Sequence, residues 1–546
     1  MTKARSPSAT HMRHLTALTL LLVPLASAVP QAADAAAKAE LPRVTVDTKY
    51  PSGGRAIRVR AGTDLQAAID AARPGDVLLL APGAEYTGNF RLRNKGVATN
   101  PRAGGWIVIR TDVPDASLGA PGKRMTPSRA GSLRLARIVS PNYEAAVGTD
   151  AGAHHWRLTG VEISATPFTT IMNMLVRFGE VGNEQRSVEM MPHHLVVDRS
   201  WVHGTPSLQV RRCIALNSGT TAVIDSWLGD CHSNQGDSQA LVSYNGTGPF
   251  RIENDHLEAG HEVIVFGGAD PSIKDLVPSD IEIRGNHVTR PLAWKGKWQV
   301  KNLLETKSVR RMLVEGNVFE NNWRDAQDGF AFVLKSENPG STPWSSSSDI
   351  TIRDNIIKGT GSVFNVSAAG SNSAPIVRAA RFLITNNIVE AVNTGPFQGD
   401  GKVFQILSGL SDLVITHNTV VNQNSNLATV VFDGPPSRGF VMHSNVMGAG
   451  QYGIKGGGAG IGRATLAKYA PGGVFDRNVM VGADCSAYPS GTACPDRMTN
   501  VGFVNALGGD FRAAAGALKG RGLDGGDVGA DIVRVEAATR GAVVAP

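Results

Sequence analysis

Short runs in which apolar and polar residues alternate recur through most of the chain, each ending in a small polar residue followed by another apolar one. They read LVVDRSWV, AVIDSWL, FRIENDHL, IEIRGNHV, MLVEGNVF, ITIRDNII, FLITNNIV, LVITHNTV, FVMHSNVM and GVFDRNVM. Their polar anchors are Ser200, Ser226, Asn254, Asn286, Asn317, Asn355, Asn387, Asn418, Asn445 and Asn478, with spacings from 26 to 38 residues. Apolar side chains at every second position, with Val and Ile dominant, predict strands rather than helices. A strand repeated at this period predicts a solenoid, because one such unit cannot bury its own apolar face. A buried Asn after each strand predicts a bend, with the amides stacked along the axis and satisfying one another and the backbone. Further strands lie upstream in several repeats: CIALNS, QALVSYN, EVIVFGG, NLLETKS, FAFVLKS, SVFNVSA, VFQILSG and ATVVFDG. Two or three strands per turn predict an all-β fold, a right-handed parallel β-helix of about ten coils.

Composition fits that prediction, with 62 glycines and only 18% charged residues among 546. Gly and Asn supply the left-handed backbone that tight corners need. Residues 55–92 read as strand, amphipathic helix, strand, turn and strand. Asp64 is a good N-cap, Leu65, Ile69 and Ala72 share a face, and Pro74-Gly75 stop the helix. A helix laid over the first coil would hide an open sheet edge. This segment resembles the N-terminal cap of the pectate-lyase-like β-helix superfamily. The stretch from Gly502, with Asp510-Phe511-Arg512 and Gly525 to Asp531, resembles the terminal segment of its secreted bacterial members. The resemblance implies the fold over nearly all of the mature chain. It leaves the activity open among lyases, hydrolases, epimerases, esterases and non-enzymatic adhesins.

Residues 1–28 carry Lys3, Arg5 and Arg13, then an apolar stretch from Leu15 to Leu25 and Ala26-Ser27-Ala28, the pattern of a cleaved export signal. The predicted organisation is a signal peptide at 1–28, a linker at 29–42, a cap and first coil at 43–104, the β-helix at 105–480 and a C-terminal segment at 481–546. An exported, secreted or periplasmic protein favours two local disulfides, Cys213 with Cys231 and Cys485 with Cys494. Net charge is +7, or about +4 without the leader, compatible with an acidic polysaccharide as partner. No like-charge block or basic stripe with interleaved aromatics points to nucleic acid, and nothing beyond the leader points to a membrane.

Candidate chemistry gathers between residues 230 and 340. In a β-helix, side chains pointing outward from equivalent places in successive strands form one surface. Asp237, Gln239, Tyr244, His261, Glu262, Lys301, Glu305, Lys307 and Lys335 sit in such places. NLLETKS and FAFVLKS match at Lys-Ser, which puts Lys307 and Lys335 28 residues, or one turn, apart. Equivalent side chains on adjacent strands lie about 4.8 Å apart. Two unpaired ammonium groups that close would lower the pKa of one of them. A neutral lysine can remove the proton next to a uronate carboxylate while a second cation faces that carboxylate, which is the β-elimination of a polysaccharide lyase. Glu305 would orient Lys307 or hold Ca²⁺. The loop at 269–300 adds Arg290 and Trp294, whose charge and ring suit a sugar-binding wall.

ThrLysSer at 306–308 resembles the lysine strand of the chondroitinase B and alginate lyase type of β-helix lyases. The next strand carries Leu334-Lys335 where that type has Arg-His, and Val300 and Asn302 stand where it has acidic Ca²⁺ ligands. The expected function is a secreted lyase acting on a uronic-acid-containing polysaccharide. Catalytic candidates are Lys307, Lys335, Glu305, Asp237 and His261, and substrate-binding candidates are Gln239, Tyr244, Glu262, Lys301, Arg290 and Trp294. The alternatives are an inverting glycoside hydrolase using paired carboxylates and a non-catalytic carbohydrate-binding surface protein.

Overall fold

The computed structural model describes residues 36–97, 102–167, 171–337, 342–370, 377–514 and 518–546. The export signal and the first residues of the expected linker lie outside the described residues. Three parallel sheets of 14, 13 and 12 strands run along the axis, so the solenoid has more turns than the ten expected. The extra turns precede residue 195, where the strand His154–Thr159 is followed by Gly160 and no polar anchor marks the corner. Each coil gives one strand to each sheet in turn, for example Ser279–Arg284 to sheet 1, His287–Thr289 to sheet 2 and Asn302–Thr306 to sheet 3. Parallel strands joined by crossovers take the right-handed sense. Register is unshifted from coil to coil in sheet 1, with Ile283 facing Ile252 on one side and Val314 on the other. Like side chains therefore stack inside, as Phe332, Phe364 and Phe404 do at centroid spacings of 4.9 and 5.3 Å. The disulfide between Cys213 and Cys231 is sealed in this core, and Cys485 is joined to Cys494.

The corner between sheets 1 and 2 holds the anchor ladder. The backbone N–H of Asn317 donates to Oδ1 of Asn355 at 2.9 Å, and its side-chain amide donates to the same oxygen at 3.0 Å. That amide also reaches Ile283 O at 2.8 Å, one coil back. The pattern repeats through Asn286, Asn355, Asn387, Asn418 and Asn445, and ends on Asn478. The residue before each rung takes a positive φ, for example 62° at Gly285 and 58° at Asp354.

One anchor is out of step with the sequence reading. Asn254, with φ 55°, occupies the left-handed position that Gly285 fills in the next coil, and the rung belongs to Asp255. Asp255 Oδ1 accepts from Ser226 N at 2.7 Å, while its own N–H donates to Asn286 Oδ1 at 2.8 Å. Its other carboxylate oxygen is buried with no partner. Burial pushes this carboxyl well above its usual range, against the backbone bond from Ser226 and the charge of Arg124.

The helix Leu65–Ala71 forms as expected, with Asp64 accepting from Ala67 N at 3.1 Å and Leu65 and Ile69 buried. Both ends of the described chain then run lengthwise along the solenoid. Residues 36–50, part of which reads as a linker, lie extended across sheet 1. The N–H groups of Ala37, Glu40 and Arg43 donate to Asp412, Asp349 and Asp280 at 2.9, 3.3 and 2.9 Å. Those aspartates sit two strands apart in sheet 1. Three extended residues span roughly 10 Å, which matches two strand spacings of about 4.8 Å each. Val46 is buried against Val196, Ala222 and Ile224, and the Tyr50 ring lies under the Arg157 and Arg199 guanidinium groups. At the other end, Gly529, Ala530 and Asp531 donate to Ser444 O, Thr419 Oγ1 and Asn386 Oδ1. The helix Ile532–Ala538 packs on Ile388 and Val421, and Arg124 Nη1 donates to Ala542 O at 2.7 Å. Among the described residues, no hydrogen bond of 36–50 or 518–546 reaches sheet 3.

A carboxyl raised by folding stabilises fully below its unfolded-state value of about 3.9 and loses that contribution as pH rises through its folded value. Asp255→Asn replaces it with the amide that the rungs from Asn286 to Asn478 use. The variant should gain about 1–3 kcal/mol at about pH 8, and less at about pH 4. Thermal melts at both pH values check this, and a midpoint that falls at pH 8 would contradict it.

Candidate active site

The outward positions of sheet 3 form three columns. Arg212, Gln239, Glu262 and Asn302 stand in one, by the pairings of Arg212 with Gln239 and of Glu262 with Asn302. Ala215, Val242, Val265 and Glu305 stand in the second. Thr306 faces Leu334, so Lys307 and Lys335 follow side by side in the third, as their one-turn spacing predicts. Gly267 precedes Lys307 in that column, and Gly268 follows Gly267 along the chain. A side chain at Gly268 would meet Lys307 Nζ at 3.4 Å, and its φ of 96° suits glycine. A cavity of about 180 Å³ opens there, lined by Arg212, Asp237, Gln239, Tyr244, Glu262 and Lys307 among others. A larger one of about 680 Å³ between the last coil and the C-terminal segment offers only Asp476, Arg477 and Arg521 as charged groups and no clustered acid and base.

The lysines are not unpaired, contrary to the sequence expectation. Glu305, almost fully buried, places Oε1 at 3.1 Å from Lys307 Nζ and 3.8 Å from Lys335 Nζ, and Lys335 also meets Glu337 at 2.5 Å. Burial disfavours the charged form of Lys307, yet Glu305, Glu262 and Glu337 outweigh it and raise its pKa above the ordinary lysine value. Glu305 is held by Asn302, whose amide donates to Oε2 at 2.9 Å.

A second ion group lies one coil toward the N-terminus. Lys301 Nζ contacts Asp237 Oδ1 at 2.6 Å and Glu262 Oε1 at 3.1 Å, and Gln239 donates to Glu262 Oε2 at 2.7 Å. Burial opposes the charge on Lys301, but the two carboxylates raise its pKa. Burial, with Glu305 and Asp237 nearby, raises the pKa of Glu262. Asp237 is half-exposed and pushed the other way, because Lys301, His261 and Lys307 outweigh its burial. His261 is buried, and burial lowers its pKa. Its Nε2 lies 3.0 Å from the side-chain amide oxygen of Gln299 and its Nδ1 3.0 Å from the Ser238 hydroxyl, so both ring nitrogens are engaged within the protein. It lies 3.8 Å behind Asp237 and has no lone pair free for substrate.

Asp237, Gln239, Tyr244, Glu262, Lys301, Glu305, Lys307 and Lys335 thus come together, with His261 supporting them. Arg290 and Trp294 do not join them. Arg290 is fully buried, donating to His261 O at 3.1 Å and Asn302 O at 2.9 Å, where it pins two strands from behind. Burial lowers its pKa to about 9. Trp294 packs with Val300 and Trp323 and meets the His232 ring edge-on at 4.9 Å, while Trp298 stacks on that ring at 3.9 Å. These rings fill the base of the loop rather than face a ligand. The sequence reading missed Arg211 and Arg212, which line the cavity beside Tyr244. Their signal, two cations opening the strand before CIALNS, lacks the Lys-Ser match that singles out the lysines.

No family model matches the chain, and no curated protein matches it. Among solved structures it is similar to the PL6 family alginate lyase AlyGC, at 13% identity and a TM-score of 0.40, over 85% of this chain and 57% of that one. The chain therefore spans little more than half the length of that lyase. It is also similar to a mannuronic acid specific polysaccharide family 6 lyase from human gut microbiota, at 11% identity and a TM-score of 0.43, over 81% and 92% of the two chains. PfbA, a surface adhesin of Streptococcus pneumoniae, matches at 12% identity and a TM-score of 0.41, over 74% and 89%. The three long parallel sheets make the chain a parallel β-helix protein, a class that does not by itself fix an activity.

Trp294→Ala should cost about 3 kcal/mol or more in denaturant unfolding, through the cavity left under the loop. Activity per folded molecule should stay within about twofold. A large loss of activity without loss of stability would return Trp294 to the substrate wall.

Proposed function

We propose that the protein is an exported polysaccharide lyase that cleaves a uronic-acid-containing glycan by β-elimination in the groove on sheet 3. The observation that carries this reading is the pair Lys307 and Lys335, side by side on sheet 3, with buried Glu305 between them. Two disulfides, one of them sealed in the core, agree with an oxidising destination. Among the described residues, no helix is long and apolar enough to cross a membrane.

In this reading Lys335 faces the uronate carboxylate, which acidifies the neighbouring C–H. Neutral Lys307 takes that proton. The C–H electron pair becomes the new ring double bond, and the bond to the glycosidic oxygen breaks. The Lys307 ammonium then returns its proton to the departing oxygen. Because the carboxylates hold Lys307 charged at rest, the neutral base becomes available only toward alkaline pH.

The oxygens of the cluster do not fit a Ca²⁺ site. Glu262 and Glu305 already receive ammonium and amide donors, whereas Ca²⁺ takes six to eight oxygens, about that many from protein and water together. Lysine side chains supply the positive charge instead.

A hydrolytic reading draws on Asp237 and Glu262, whose pKa values move apart as those of an acid and a base do. Both carboxylates touch one ammonium, at 2.6 and 3.1 Å, which puts those oxygens closer than the about 6.5–9.5 Å that an inverting mechanism needs.

Incubation with pectate, alginate, glucuronan and glycosaminoglycans should yield ultraviolet-absorbing unsaturated ends on at least one of them. New reducing ends without that absorbance would favour the hydrolase, and binding without new ends would favour a carbohydrate-binding protein. Lys307→Ala should lower the rate by about 100-fold or more. Glu305→Gln removes the strongest charge that raises the Lys307 pKa, so the alkaline rise of the pH–rate profile should move to lower pH. An unmoved profile would discharge Lys307 as the base. Chelator treatment should leave the rate unchanged.

A further inference from the structure

Most cations of the groove are neutralised by the protein itself. Lys301 is held by Asp237 and Glu262, Lys307 by Glu305, Lys335 by Glu337 and Arg177 by Glu180. Arg211 and Arg212 are the exception among the described residues. Arg211 Nε donates only to the backbone oxygen of Asp237 at 3.3 Å, and Arg212 Nη1 only to the Asn173 side-chain oxygen at 2.8 Å. Nε of Arg212 is buried with no partner. Burial, and then the neighbouring Arg211 charge, press the Arg212 pKa down, and Tyr244, Asp237 and Glu262 oppose them without an ion pair. A desolvated guanidinium with no counter-ion is costly, and an arriving anion would relieve that cost.

The pair sits where two cavities meet. One is the 180 Å³ space over Lys307, and the other, of about 280 Å³, continues toward the N-terminal coils past Asn173 and Asn217. Arg211, Arg212 and Tyr244 line both. Tyr244 is part-exposed and leans on Ala215, Val242 and Val265, which presents an aromatic surface beside the two guanidinium groups. In the third column Tyr244 precedes Gly267, which precedes Lys307, so it stands two coil spacings, roughly 10 Å, from the lysine.

From this arrangement, and resting on the function proposed above, we infer that Arg211 and Arg212 form a second carboxylate subsite that receives another uronate of the same chain. The planar forks take its carboxylate in paired hydrogen bonds, and Tyr244 lies against its ring. A pyranose unit is comparable in length to one coil spacing, so this uronate lies about two units from the scissile bond, along the helix axis. The enzyme then prefers an extended polyuronate over a short oligomer, because the reacting unit alone leaves the two guanidinium groups without an anion.

The test is calorimetric titration of the Lys307→Ala protein, which binds without turnover, with uronate oligomers from dimer to pentamer. Affinity should rise with length until both subsites are filled. Arg211→Gln combined with Arg212→Gln should weaken the pentamer about 10-fold or more and leave the dimer unchanged. Arg212→Lys, which keeps the charge but not the fork, should lose part of the gain and serves as the folded control if the double variant is unstable. Length-dependent binding that survives these substitutions unaltered overturns the subsite alone. Failure of every uronate oligomer to bind overturns the proposed function and the subsite with it.

Discussion

Every coil of this solenoid depends on satisfying the backbone where sheet 1 turns into sheet 2. At that corner the chain leaves its strand, and a positive φ at the preceding residue turns a peptide N–H toward the next coil. The anchor side chain of that coil accepts it, and the anchor amide returns a bond to a carbonyl one coil back. Six consecutive Asn-to-Asn steps, from Asn286 to Asn478, use the same three bonds. Since a buried polar group left unpaired costs about 1–3 kcal/mol, the corner sets where each turn begins and holds sheet 3 in register. The side-by-side placement of Lys307 and Lys335 on the outside follows from that register.

The fold was legible because the corner requires a particular residue type and the core requires alternation. Both requirements recur at each coil, so they leave a period in the sequence. Asn254 misled because two adjacent polar residues fill the corner there, and only the alignment of His256 with His287 in the sheet separates rung from turn. The earliest coils left no period, since a glycine such as Gly160 bends without an anchor. The lengthwise terminal segments also left none. Their bonds join residues hundreds of positions apart, and an extended stretch near an Ala-rich leader has no amphipathic pattern of its own.

The candidate site was legible by position but not by charge state. One-turn spacing identified Lys307 and Lys335, yet nothing in NLLETKS shows that the outward Glu305 is buried beneath them and shared between them. Repulsion between two free ammonium groups was the natural expectation, and a buried carboxylate reverses it. Arg290 and Trp294 show the converse limit. A cationic, aromatic loop suits sugar binding, but these two side chains point back into the molecule, one bonding strand ends and the other filling the loop base.

The terminal segments alter how such a molecule comes apart. A stack in which each repeat touches only its neighbours behaves as a one-dimensional chain, and its end coils fray independently. Here residues 37–43 clamp a run of five coils of sheet 1, from Asp412 to Asp280, and the last residues reach from Asn386 back to Arg124. Opening an end coil therefore also peels a segment anchored many coils away. Melting becomes a concerted event rather than a sequence of local ones, and frayed ends that a protease could seize are correspondingly rare.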